Sequence, residues 1–125
     1  MQIRWLTCIA AIWFIAAPSA PAAVVLQYHH VSTDTPPSTS TAPDRFAMHL
    51  DYLEQAGFEV VRLEDLIKAH AAGGPLPDRA AAITFDDGYR SIYEAAWPLL
   101  KRRGWPFNVF VKSAPHDRGS LLFMS

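Results

Sequence analysis

The chain has 125 residues, 50% of them hydrophobic and 18% charged, with a formal net charge of −1. Its acidic and basic residues are scattered rather than gathered into runs, which excludes a basic surface of the kind that binds nucleic acid. The single cysteine, Cys8, leaves everything after it without disulfides or thiolate metal sites.

Residues 1–22 read as an export signal. Arg4 gives a short positive region, Leu6 to Ala17 an apolar stretch, and Ala20-Pro21-Ala22 a small-residue cleavage site. The alternative, an uncleaved membrane anchor, is disfavoured because the apolar core falls short of the roughly 20 residues of a span and Pro18 breaks it. Trp5-Leu6-Thr7 ahead of Cys8 make a poor lipoprotein box, so Cys8 reads as a small apolar residue of the signal. The mature chain is expected to start near Ala23.

From there strands and helices alternate. Val24 to Tyr28 is a first strand, and its near-continuous apolar run suits a strand covered on both faces. Thr33 to Pro43, rich in Thr, Ser and Pro, reads as a loop. Asp44 to Ala56 is a helix, with Phe46, Leu50 and Leu53 recurring at helical spacing and Gly57 as its stop. Phe58 to Val61 is a second strand. Leu63 to Ala72 is a second helix, with Leu63, Leu66 and Ile67 expected inward. Ala80 to Phe85 is a third strand, Tyr89 to Arg103 a third helix kinked near Pro98, and Phe107 to Val111 a fourth strand. This alternation predicts a parallel sheet with crossover helices packed outside it, and ligands at the carboxyl ends of the strands.

Two pieces of sequence fall at such ends. Asp86-Asp87-Gly88 follows the third strand, and Tyr28-His29-His30 follows the first. Successive strand residues face opposite ways, so two adjacent Asp side chains converge only if the chain turns between them, and Gly88 provides for that. Adjacent acids repel, and a divalent metal would hold them ionised while leaving one carboxylate free as a base. On its own Asp-Asp-Gly also suits a solvated turn. If the first strand continued through them, His29 and His30 would face opposite ways; His29 is assigned to the site and His30 to a structural or loop position. His49 is expected as a partly buried, hydrogen-bonded helix residue, and His70 near a helix end where it meets the dipole. Trp97 is expected to pack within its helix; Tyr89 fits either a pocket cap or a helix start, and Trp105 either packing or a sugar platform.

Thr84-Phe85-Asp86-Asp87-Gly88-Tyr89 resembles the first motif of the polysaccharide deacetylases of the NodB-like carbohydrate esterase group, which reads Thr-Phe-Asp-Asp-Gly. Within that group, Tyr28-His29-His30-Val31, the Phe46, His49, Leu50, Leu53, Gly57 pattern and the Gly74 to Asp78 lead-in are similar to the bacterial poly-β-1,6-N-acetylglucosamine deacetylases. The resemblance runs from about Val24 to the last residue. It implies an α/β fold, the N-terminal part of a distorted (β/α) barrel over residues 23–125, and metal-dependent removal of acetyl groups from an N-acetylglucosamine polymer. Asp87 would be a metal ligand, Asp86 the general base and His29 a hydrogen-bond partner of an Asp at the pocket floor. Zinc is the first choice of metal, with cobalt, nickel or iron as alternatives. The resemblance further implies a periplasmic or envelope location and a link to exopolysaccharide export and the biofilm matrix.

The group's second motif is a His-rich segment that completes the metal site, and these 125 residues are expected to end before it, carrying half of an active site. A complete barrel of this kind needs roughly 200 residues. His116, the one histidine after the Asp pair, reads as solvated. A four-strand piece is also expected to leave an open strand edge and an uncovered apolar face. Two other functions compete with the deacetylase: a non-catalytic carbohydrate-binding remnant, and a phosphatase-like domain, the latter disfavoured for want of a phosphate-cradling Gly-rich loop.

Overall fold

The computed structural model describes residues 23–111. The export-signal reading, Cys8, His116 and the segment after Val111 lie outside the described residues.

Strand β1 (Ala23–Tyr28) is followed by two short strands, β2 (His30–Val31) and β3 (Ser40–Thr41), then by helix α1 (Pro43–Gln55). Next come β4 (Glu59–Val60), α2 (Leu63–Ala71) and β5 (Ala80–Asp86). A π-helical turn, Ile92–Ala96, leads into α3 (Trp97–Arg103), and β6 (Asn108–Phe110) is the last element. Strands β1, β4, β5 and β6 form one parallel sheet with β5 at its centre. β1 runs beside β5 from Ala23↔Ala80 to Tyr28↔Phe85. The other flank of β5 is shared end to end, β4 pairing with Ala80 and Ala81 and β6 with Thr84, Phe85 and Asp86. The second edge of β1 has no strand partner among the described residues.

The core lies on one face of this sheet. The register sets Leu26 beside Ile83 and Tyr28 beside Phe85, so these side chains share a face. Helix α1 lays Phe46, Leu50 and Leu53 on it, and the segment after β5 adds Ile92, Ala96 and Leu100. The aromatic rings lock the layers: Phe46 meets Tyr28 edge-on at 5.0 Å between centroids, and Phe107 meets Phe85 the same way at 5.7 Å. The Tyr28 hydroxyl hydrogen-bonds Nδ1 of half-buried His49 at 3.0 Å, and burial pushes the Tyr28 pKa up to about 12.

Helix α1 begins with Pro43 in its first turn, where a missing N–H costs nothing, and ends at Gly57, whose φ of +71° lets Phe58 return its N–H to the Leu53 carbonyl. Helix α2 buries no residue. Leu66 and Ala69 face a small cavity of about 200 Å³ with Val61, Leu76 and Pro77. Ile67, expected inward, is instead 55% exposed, because it sits about a quarter-turn away from the Leu66–Ala69 stripe.

The expected kink near Pro98 takes the form of the π-helical turn just before it. Trp97 donates its N–H to Ile92, five residues back, which widens the turn. Pro98 has no N–H to offer and its ring crowds the carbonyl four residues upstream, so the tighter helix cannot run through unbroken. Gly104, at φ +65°, stops α3.

The segment 33–43, read as a loop, is mostly turns, yet Ser40–Thr41 pairs with His30–Val31 as a parallel ladder. Buried His30 needs a partner for its backbone N–H, and the ladder supplies the Thr39 carbonyl, with Ser32 donating to Thr41 beyond it. No helix of the described residues is long and apolar enough to cross a membrane.

Candidate active site

The acid pair sits where β5 ends. Asp86 is the last residue of the strand, and both Asp87 and Gly88 adopt left-handed backbone, at φ +69° and +68°. The turn therefore begins at Asp87 itself, a residue type that tolerates this conformation better than most. Gly88 is required twice over: besides its φ, a Cβ there would stand 3.1 Å from Cγ1 of Val111.

Each carboxylate has its own attendants. Oδ2 of Asp86 accepts a hydrogen bond from Nε2 of Gln27, and Nε2 of His29 stands 3.6 Å from the same oxygen. Oδ2 of Asp87 accepts the Tyr89 hydroxyl at 3.0 Å. The ring of Tyr89 stacks on His30 at 3.6 Å between centroids, 27° from parallel. Val31 donates its backbone N–H to Oγ of Ser91 at 3.2 Å, tying β2 to the helical segment after the acids. His30 is buried, and that burial lowers its pKa; His29 nearby lowers it further and Asp87 partly restores it.

Thus His29 lies beside Asp86, with Asp87 next in the chain and engaged by Tyr89. His30, assigned to a structural or loop position, is buried and stacks on Tyr89. The condition for opposite faces was a continuous strand, and β1 ends at Tyr28 with a bend at His29 before β2 begins. Tyr89, for which two roles were open, places its hydroxyl on Asp87. Gln27 was not expected at all. Its signal was a lone polar side chain in an apolar strand, two positions before His29 and so on the same face.

The aromatic candidates divide clearly. Trp97 stacks on the Tyr93 ring at 5.1 Å, and the Lys101 ammonium lies 4.7 Å from its centroid, so its neighbours are residues of its own helical segment. Trp105 packs against the core, with the Arg103 guanidinium 5.7 Å from its ring. His49 serves Tyr28, and exposed His70 lies in the last turn of α2.

A divalent metal needs several oxygen or imidazole ligands around one point. Among the described residues no three His, Cys, Asp or Glu side chains converge in that way. One oxygen of Asp87 is engaged by Tyr89 and one of Asp86 by Gln27. These residues supply part of a donor set and not the whole of one. A magnesium-dependent phosphatase would want a third acid at a neighbouring strand end; those ends present Tyr28, Val60 and Phe110.

Parallel strands with crossover helices and an acid pair at the strand ends place the described residues within a partial (β/α) barrel of the NodB-like type. The chain superposes on IcaB from Ammonifex degensii with a TM-score of 0.65 at 38% identity, covering 71% of this chain and 37% of that one. A likeness of fold alone extends to the Streptococcus pyogenes deacetylase PplD in complex with acetate, at TM-score 0.68 and 23% identity, covering 81% of this chain and 47% of that one. Residues 73–119 match the family described as polysaccharide deacetylase. It is 33% identical over 89 residues to the poly-beta-1,6-N-acetyl-D-glucosamine N-deacetylase of Escherichia coli (strain K12), an alignment spanning 66% of this chain and 13% of that protein.

Proposed function

We propose that these residues form the acid-bearing half of an exported N-deacetylase acting on N-acetylglucosamine polymers, with poly-β-1,6-N-acetylglucosamine of an extracellular matrix as the substrate. The observation that carries the reading is Asp86 at the carboxyl end of a parallel strand with His29 beside it and Asp87 next in the chain, the two acids lying inside the segment that matches the family. Similarity to the Escherichia coli enzyme supports the choice of polymer.

In this reading water adds to the acetamide carbonyl, the carbon–nitrogen bond breaks, and acetate leaves a free amine on the sugar. Asp86 takes the proton from the attacking water. Its position at the end of the central strand, paired there with β6, holds its backbone in place. His29 lies beside the same carboxylate, 3.6 Å from it, and donates to the substrate. Asp87 is the ligand this stretch contributes to a divalent metal, zinc first and cobalt, nickel or iron as alternatives, with the other ligands outside the described residues. Such an ion, when bound, polarises the carbonyl and acidifies water. The periplasm or cell envelope, next to exopolysaccharide export machinery, is the proposed setting.

The test is acetate release from β-1,6-linked N-acetylglucosamine oligomers, with and without a chelator. Release that stops with chelator and with Asp87→Ala supports the assignment. Release that survives Asp87→Ala removes Asp87 from the metal site. A second reading is favoured by the incomplete donor set among the described residues: a carbohydrate-binding remnant without catalysis. It predicts retention on the polymer, no acetate, and indifference to chelators.

A further inference from the structure

We propose that Gln27 is a positioning residue that aims the Asp86 carboxylate, and that its side-chain N–H rather than His29 makes the fixing contact. The inference rests on the deacetylase reading for its catalytic consequence, and on geometry alone for the contact itself.

Three observations carry it. Nε2 of Gln27 donates to Oδ2 of Asp86, while Nε2 of His29 stands 3.6 Å from that oxygen, too far for a good hydrogen bond. Gln27 pairs in register with Thr84, two residues before Asp86, so donor and acceptor project from the same face of neighbouring strands. The backbone beneath Gln27 is held rigidly. Oγ1 of Thr84 donates to the Leu26 carbonyl at 3.1 Å, and the adjacent Tyr28 ring is clamped between Phe46 and Phe85 on the opposite face. Gln27 is itself exposed, so the core does not need it.

The chemical consequence is an assignment of oxygens. A donor on Oδ2 fixes the rotation of the carboxylate and leaves Oδ1 as the oxygen that takes the proton from water. An amide suits that task because it carries no charge and does not titrate, so the aim is independent of pH. An imidazole in the same place would lose or gain a donor across the neutral range.

The experiment has two arms on the full chain. Three glutamines and one asparagine give the nitrogen-15 spectrum few side-chain amide pairs, so Gln27 can be assigned. The Gln27 amide protons are expected downfield of those of Gln55 and slower to exchange, and Asp86→Ala should return them to the Gln55 position. A Gln27 signal that ignores Asp86→Ala overturns the contact. In the second arm, acetate release is compared for the wild type, Gln27→Met, which keeps the shape but has no donor, and Gln27→Glu, which sets a carboxylate against Asp86. The expected result is a kcat lower by roughly ten- to a hundredfold for Met and more for Glu, with KM and melting temperature unchanged. Full activity in Gln27→Met overturns the positioning role while leaving the deacetylase reading intact. No acetate from the wild type overturns the deacetylase reading, and with it the catalytic consequence, while the amide spectrum still decides the contact.

Discussion

On one face of β5, Ile83 and Phe85 are sealed beneath Phe46, Leu50, Ile92 and Leu100. On the other, the same strand ends in Asp86, and its neighbours β1 and β6 show Gln27, Val25 at 47% exposure and Phe110 at 52%. The first face is apolar and closely filled; the second is polar at the strand ends and has apolar side chains open to solvent below them. Stability and chemistry are therefore carried by alternate residues of one strand, and a substitution moved by a single position should change which of the two it affects.

The largest effect that tests this separation is expected from Phe85→Ala. It removes a ring that contacts Tyr28, Phe46 and Phe107, and should cost about 3–5 kcal/mol in denaturant unfolding. A cost below about 1 kcal/mol would mean that the two faces do not differ in this way. Gly88→Ala comes next, at about 1–2 kcal/mol, since alanine must hold φ +68° and its Cβ meets Val111. The same unfolding measurement checks it, and a neutral result would show that the turn can relax. Arg103→Ala should lose about 1 kcal/mol, because Arg103 bridges α3 to Asp51 and Glu54 of α1 and covers Trp105, but its partners are exposed and screened.

A smaller effect is expected with pH, through His30. Its pKa is lowered in the fold, chiefly by burial, so between the folded and unfolded values the unfolded chain binds the extra proton. Above about pH 6.5, the unfolded value, His30 is neutral in both states and its penalty is absent; stability should fall as pH drops below that value. Urea midpoints measured from pH 7.5 to 5 should show this slope, and His30→Gln should flatten it. The smallest effect belongs to Val25→Thr on the open face, expected within about 0.5 kcal/mol. A larger loss there would show that something covers that face.

Most of the fold was legible because its signals are local. The helical spacing of Phe46, Leu50 and Leu53, the apolar run from Ala80 to Ile83, and Gly57 and Gly104 as stops each specify an element without reference to the rest. Asp86 and His29 could be expected near each other because one ends a parallel strand and the other follows the end of its neighbour. What escaped notice depends on contacts between distant segments. Ser40–Thr41 is a strand only because His30–Val31 needs one, Ile67 faces out because of where α2 rests, and Gln27 matters only once β1 lies in register with β5. The reach of Tyr89 to Asp87 depends on the left-handed turn at Asp87, which an Asp-Asp-Gly sequence permits without specifying.

The central place of β5 also sets an order of assembly. Each of the other three strands of the main sheet pairs with β5 and none pairs with another. As the chain emerges from the ribosome, β1 and β4 have no strand of this sheet to join until α1, α2 and the whole of β5 have followed. The sheet should therefore form late and cooperatively, with loop closure as its slow step. Until then the apolar β1 has no strand of the main sheet to cover it.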